Sequence, residues 1–170
     1  MSSYTFQPGS REFFELIQTF PQDRQELYYM SPSAVYPLTA DQLETIASAR
    51  LHPTVILNEA GEPVGYANLY GYEPEKHVWL GNLIVHPDYR GKGAASALLR
   101  EMLRIAREEL QVPSLQLIVH NLNLTGILFY HKLGFKPYEF DPKVNYNGDA
   151  LVGIKLVRGT ERQDESDKAR

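Results

Sequence analysis

Val85-His86-Pro87-Asp88-Tyr89-Arg90-Gly91-Lys92-Gly93-Ala94-Ala95 is the stretch on which the reading of this chain turns. It leaves an alternating run, His77 to Val85, and enters a long amphipathic one, Ala94 to Leu110. There Ala94, Leu98, Met102, Ile105 and Ala106 recur at helical spacing, with Arg100, Glu101, Arg104, Arg107 and Glu108 between them. Pro87 cannot continue a strand's hydrogen-bond ladder, so the strand ends at His86 and a strand-turn-helix unit results. Two glycines and two alanines open the helix. The first amides of a helix have no intrahelical acceptor, and the helix dipole adds partial positive charge there, so small residues let an anion touch the main chain. Arg90 and Lys92 would add full charges. A plain surface turn uses the same residue types, and a glycine pattern alone does not separate the two. The familiar nucleotide loops do not fit: Lys92 is followed by Gly93 rather than Ser or Thr, and no dinucleotide glycine triplet is present.

Upstream, Tyr4-Thr5-Phe6 reads as a short strand. Ser10 caps a helix carrying Phe13, Phe14, Ile17 and Phe20, which Pro21 stops. Gln22 to Pro37 reads as irregular and tyrosine-rich, and Thr39 with Gln42 forms a capping box for a helix that closes before Pro53. Thr54 to Leu57 and Pro63 to Tyr70 form a hairpin around Asn58 to Glu62, and Gly81 inside the third run marks a bulge or a close backbone approach. Downstream, Leu115 to Val119 is a strand and Asn123 to Leu133 a helix ended by Gly134. Lys136 to Asp141 and Ala150 to Val157 are two last strands. The order is that of a mixed α/β (α+β) fold in one domain, 1–158, followed by a charged tail, 159–170, expected to be disordered.

At 170 residues, 43% hydrophobic and 22% charged, the composition is that of one globular unit. A formal charge of -4 with no basic stripe argues against nucleic acid as a partner. The absence of cysteine removes disulfides, thiolate metal sites and thiol nucleophiles. The five histidines form no zinc-protease pattern, and Ser31, Ser33 and Ser96 lack a nucleophile-elbow context. With no signal-peptide pattern and no long apolar run, the expectation is a cytoplasmic protein without a membrane segment.

Arg90-x-x-Gly93-x-Ala95 after a strand ending Val85-His86-Pro87 closely resembles the acetyl-CoA motif of the GNAT superfamily of N-acetyltransferases. A second block, Asn123-x-x-Gly126-Ile127-Leu128-Phe129-Tyr130-His131-Lys132-Leu133-Gly134-Phe135, resembles that family's downstream helix. The resemblance implies a mostly antiparallel central sheet, splayed at the cofactor strand and flanked by helices, with acetyl-CoA as cosubstrate. It implies that the amides of Arg90, Gly91, Lys92, Gly93, Ala94 and Ala95 hold the pyrophosphate, and that pantetheine lies beside Leu83, Ile84 and Val85. A bulge at Gly81 would turn a backbone amide toward the thioester carbonyl. Tyr130 would face the sulfur as general acid, although a core role fits its spacing too. Asn123 would fix the cofactor or simply cap the helix. Gly126 departs from the family's usual alanine, keeping a small residue at some cost to the helix.

The base and the acceptor are less legible. Peptide N-terminal acetyltransferases of this kind often carry a glutamate before the downstream helix, where this chain has Leu117-Ile118-Val119-His120. Candidates are Asn82 positioning a water, Glu73, Glu75, His77 and His120, or water alone. The resemblance places the acceptor beside Tyr28, Tyr29, Met30 and Tyr36, with Tyr70, Tyr72 and Tyr146 nearby, where aromatic faces can hold a cation or an apolar group. A small-molecule primary amine is the leading expectation. A protein or peptide amine, at an N-terminus or a lysine, and a non-catalytic CoA-binding regulator are the alternatives. Homodimers are common in such enzymes, and the oligomeric state is left open.

Overall fold

The computed structural model describes residues 3–162. Seven strands, β1 (Thr5–Pro8), β2 (Leu51–Leu57), β3 (Pro63–Glu73), β4 (His77–Val85), β5 (Ser114–His120), β6 (Lys136–Val144) and β7 (Ala150–Gly159), form one sheet in the order β1-β2-β3-β4-β5-β7-β6. Five helices flank it: α1 (Arg11–Ile17), α2 (Arg24–Met30), α3 (Ala40–Ser48), α4 (Ala94–Arg104) and α5 (Leu124–Lys132). All neighbours are antiparallel except β4 and β5. The fold is the mixed, mostly antiparallel one that the sequence led us to expect.

Strand alternation divides the core in two. Val55 and Leu57 of β2 pack with Phe14, Ile17, Leu27 and Leu43 of α1–α3, whereas Ile56 faces Leu98, Leu99 and Met102 of α4 on the other side. β5 puts Leu115, Leu117 and Val119 on the α4 side, where Phe135 and Leu156 join them. The helix that opens at Ala94 keeps its α form to Arg104 and ends in a π-helical turn, Ile105–Glu109.

The segment Gln22 to Pro37, expected to be irregular, contains α2. The Asp23 side chain accepts from the Glu26 amide at 2.8 Å, and this cap offsets the loss of helix propensity in a tyrosine-rich heptamer. Gly159 and Thr160, assigned to the tail by sequence, belong to the fold. Gly159 pairs with Ser114, and the buried Thr160 hydroxyl donates to Val112 O at 2.7 Å. The remainder of the expected tail, 163–170, lies outside the described residues.

Two irregularities in β4 create the site. Asn68 pairs with Gly81 and Tyr66 with Ile84, so Ala67 faces two residues, Asn82 and Leu83. This bulge reverses the strand's facing: Val78 and Leu80 join the α4 core, while Ile84 joins the α1–α3 core. Asn82 adopts φ +55°, a left-handed conformation that asparagine tolerates better than most residues. The second irregularity is the pairing of β4 with β5, which covers only His77 to Trp79 against Ser114 to Gln116. Beyond that point the two strands separate, leaving β4 from Leu80 to Val85 with a free edge inside the sheet.

Candidate active site

At the far end of that edge, a short 3-10 turn, Pro87–Tyr89, leads into Arg90 to Ala95. Gly91 (φ +73°) and Gly93 (φ +83°) take left-handed conformations, and a Cβ on either would meet nothing within 4 Å. The glycines are therefore required by the turn rather than by crowding, and they leave the main chain open to a ligand. Among the described residues, none of the amides from Gly91 to Ser96 has a main-chain acceptor within hydrogen-bond distance. Unpaired amides at the start of a helix are of the kind that can receive an anion.

The two basic side chains behave differently from expectation. Arg90 turns inward, donating from Nε to Val85 O at 3.2 Å and forming an ion pair with Glu26 at 2.6 Å. It braces the turn against α2 instead of offering a free charge to phosphate. Lys92 Nζ lies 5.3 Å from the centre of the Tyr89 ring, and its carbonyl accepts from the Tyr4 hydroxyl at 2.9 Å.

Where β4 and β5 part, a cavity of about 130 Å3 opens between them. Its β4 wall runs from Leu80 to Leu83, and its β5 wall holds Leu117, Ile118 and His120. Tyr130 of α5, Tyr29 and Met30 of α2, and Arg50, Tyr70 and Lys143 complete the lining. Residues far apart in sequence meet here only because the sheet splays.

Asn82 reaches this cavity with a side chain already committed. It accepts from Asn68 Nδ2 at 2.7 Å and donates to Met30 O at 3.0 Å, linking β3, the bulge and the C-terminus of α2. It is suited to fixing the bulge; a role in positioning water is not supported by these contacts. Ile84 and Val85 bury their side chains, so only their main chain can face a ligand, whereas Leu83 lines the cavity.

Tyr130 packs against Phe129 and Phe135, with ring centres 5.2 and 5.7 Å away, and its hydroxyl has no protein hydrogen-bond partner among the described residues. Burial pushes its phenol well above the ordinary tyrosine value, so it stays protonated at neutral pH. His120, 4% exposed, stacks on Tyr28 at 4.9 Å and lies 5.8 Å from Tyr29. Burial, followed by the charge of Lys143, lowers its pKa and holds the imidazole neutral. A protonated phenol and a neutral imidazole thus line the same cavity.

The remaining residues divide. Tyr29 and Tyr70 line the cavity; Tyr28 stands behind His120, with Tyr146 against it at 5.7 Å. Tyr36 is not brought to the cavity: it is 40% exposed, with its hydroxyl 3.5 Å from Gln22 O. Asn123 does not line the cavity either. It caps α5 by accepting from the Gly126 amide at 3.0 Å, and a Cβ on Gly126 would lie 2.6 Å from its Nδ2. This contact accounts for glycine where alanine was expected.

The model of the acetyltransferase (GNAT) family matches residues 12–135. The chain belongs to the GNAT family. Spermine/spermidine N(1)-acetyltransferase of Bacillus subtilis (strain 168) is 26% identical to it over 121 residues, 67% of this chain and 77% of that protein. Among solved structures, spermidine N-acetyltransferase from Vibrio cholerae in complex with CoA and spermine matches with a TM-score of 0.77 and 18% identity, over 92% of this chain and 95% of that one. A GNAT-family acetyltransferase from Bacillus anthracis matches with a TM-score of 0.78 and 14% identity, over 95% and 98%.

As a GNAT protein the chain is an N-acetyltransferase that uses acetyl-CoA. The residues present suit that donor: open amides at Gly91 to Ser96 for an anion, and an unpaired β4 edge for an extended, amide-bearing arm. No helix among the described residues is long and apolar enough to cross a membrane. Arg50 and Lys143 went unnoticed in the sequence because each is a single basic residue beside a strand end, with no motif around it. Lys143 forms an ion pair with Asp141 at 3.1 Å, whereas Arg50 has no carboxylate within 4.0 Å among the described residues.

Proposed function

We propose that this GNAT acetyltransferase moves the acetyl group directly to a primary amine of a small molecule, with no covalent enzyme intermediate. The observation that carries the reading is the cavity between β4 and β5, about 130 Å3, lined by both Tyr130 and His120. A space of that size suits a compact acceptor. The B. subtilis relative, named for spermine and spermidine, supports small amines in general.

Acetyl-CoA supplies the activated acyl group; its pyrophosphate would be held by the amides of Gly91 to Ala95 and its pantetheine arm by the free edge from Leu83 to Val85. His120 takes the proton that an ammonium must lose to become nucleophilic. Tyr130 donates a hydrogen bond to the departing thiolate; because burial raises the phenol well above the ordinary thiol value of about 8.5, its proton stays on oxygen while the thiolate takes up the second proton that the attacking nitrogen loses. The bulge at Asn82 and Leu83 frees main chain from the ladder for the developing oxyanion, and Asn82 holds it in place. Tyr29 and Tyr70 form walls of the acceptor space.

The test is release of free thiol from acetyl-CoA in the presence of small amines and of short peptides. Small amines should be acetylated with kcat/KM well above that for peptides bearing the same amino group. Preference for peptides, or silence with every amine despite acetyl-CoA binding, would overturn the reading.

A further inference from the structure

The unpaired cation lining the cavity narrows the acceptor. Arg50 places its guanidinium carbon 4.2 Å from the centre of the Tyr70 ring, and its Nη1 is buried without an acceptor. A Cβ at Gly81 would collide with Nη1, so the absence of a side chain on the bulged strand is what lets the guanidinium reach β4. Asn68 Oδ1, also buried and unpartnered, would lie 2.8 Å from that same Cβ and can satisfy at most a fraction of the five guanidinium donors. The rest of the fork stays uncommitted. The buried Nη1 lies against Gly81 and Asn68, out of a ligand's reach; the remaining guanidinium nitrogens, engaged by no protein acceptor among the described residues, are what Arg50 offers where it lines the cavity.

No Asp or Glu lines the cavity. Its other fixed cation, Lys143, is offset by Asp141, and its histidine is held neutral. A ligand bearing only ammonium groups would meet uncompensated positive charge at Arg50 and no carboxylate among the lining residues. A carboxylate would meet a planar fork of matching geometry. Arg50 also sits beside Gly81, on the other side of the bulge from the turn Arg90 to Ala95, so the anion it awaits is not the donor's pyrophosphate.

We infer that the acceptor is an amine that also carries a carboxylate, an amino acid or close analogue, with Arg50 receiving the carboxylate while the amine points toward His120 and Tyr130. The inference rests on the small-molecule reading above and deepens it. It also separates this chain from relatives named for polyamines, which carry no anionic group.

Matched pairs differing only in the carboxylate test it: ornithine against putrescine, histidine against histamine, phenylalanine against phenethylamine. In each pair that turns over, the carboxylate-bearing member should have kcat/KM higher by about tenfold or more, as one charge-assisted bidentate contact provides. Arg50→Gln should bring that ratio to about one with KM for acetyl-CoA unchanged, and Arg50→Lys should restore part of it. Acetyl-CoA-induced thermal stabilisation shows that each variant is folded and binds its donor. Ratios at or below one in the wild type overturn the inference and leave the small-molecule function standing. A high ratio that survives Arg50→Gln overturns the role of Arg50. Silence with all six amines, while acetyl-CoA still binds and other small amines turn over, overturns the inference alone; silence across the whole panel of small amines and peptides overturns the proposed function as well.

Discussion

The side-chain amide of Asn82 donates to the Met30 carbonyl at 3.0 Å, fastening the bulge of β4 to the last turn of α2. The same amide accepts from Asn68 at 2.7 Å, so one residue joins two strands and a helix at the floor of the cavity. Asn82→Ala removes both bonds, leaves buried partners unsatisfied, and puts alanine at φ +55°. The expected loss is about 2–4 kcal/mol, or roughly 4–16 °C in Tm. Asn82→Gly relieves the backbone strain but not the lost bonds, so it should fall between the two in a thermal melt. Equal stability of all three proteins would sink this account of the bulge.

Tyr130→Phe tests the hydrogen-bond donor. The ring fills the same space against Phe129 and Phe135, so acetyl-CoA binding should change little. Turnover should fall by about 10²-fold, the lower end of the range for removing one hydrogen-bond donor to a developing charge. Single-turnover kinetics, which isolate the chemical step from product release, are the measurement; an unchanged rate there would remove Tyr130 from the reaction.

His120 makes a prediction in pH. Its pKa is depressed by burial first and by Lys143 second; Tyr28 and Tyr29 of α2 cover the ring, and Arg50, Tyr70 and Tyr130 share its cavity. In the unfolded chain the imidazole titrates near 6.5. As pH falls through that value the unfolded state takes up its proton first, so stability declines, and the decline stops below the lower folded pKa. His120→Gln should flatten this acid decline. In the wild type, kcat/KM should keep a base active to below pH 6.5, and the acid limb should disappear with His120→Gln as the rate drops. An identical limb in the variant would assign the base elsewhere.

How much of this was legible in the sequence depends on distance along the chain. The turn Arg90 to Ala95, the cap at Asn123 and the bulge beside Gly81 each rest on a few consecutive residues, and local conformational rules suffice for them. α2 was also legible, in Asp23 and Glu26 at capping-box spacing, but its tyrosines masked the signal. The partner of Arg90 was not, because Glu26 lies on another element, and the expected phosphate charge became an internal ion pair. Arg50 shows the limit most clearly. Nothing between Ala49 and Leu51 marks it; only the splay of β4 from β5 brings it to the same cavity as Tyr130.

The proposed anion site makes the last prediction. Ligand at about 100 times its Kd stabilises a protein by about 2.7 kcal/mol, so saturating acetyl-CoA should raise Tm by roughly 5–10 °C in a chain of this size. Gly93→Asp places a carboxylate where the open amides converge and forces a left-handed φ on a residue with a Cβ. The unliganded protein should lose only about 1–2 kcal/mol, since the new Cβ meets nothing within 4 Å. The acetyl-CoA shift, in contrast, should vanish, because a second negative charge now competes for the same amides. Gly61→Asp is the control: its φ of +79° and empty surroundings repeat the backbone cost in a hairpin turn remote from α4. That variant should melt lower yet keep the full shift. If Gly93→Asp keeps it too, the pyrophosphate is held somewhere other than at the start of α4.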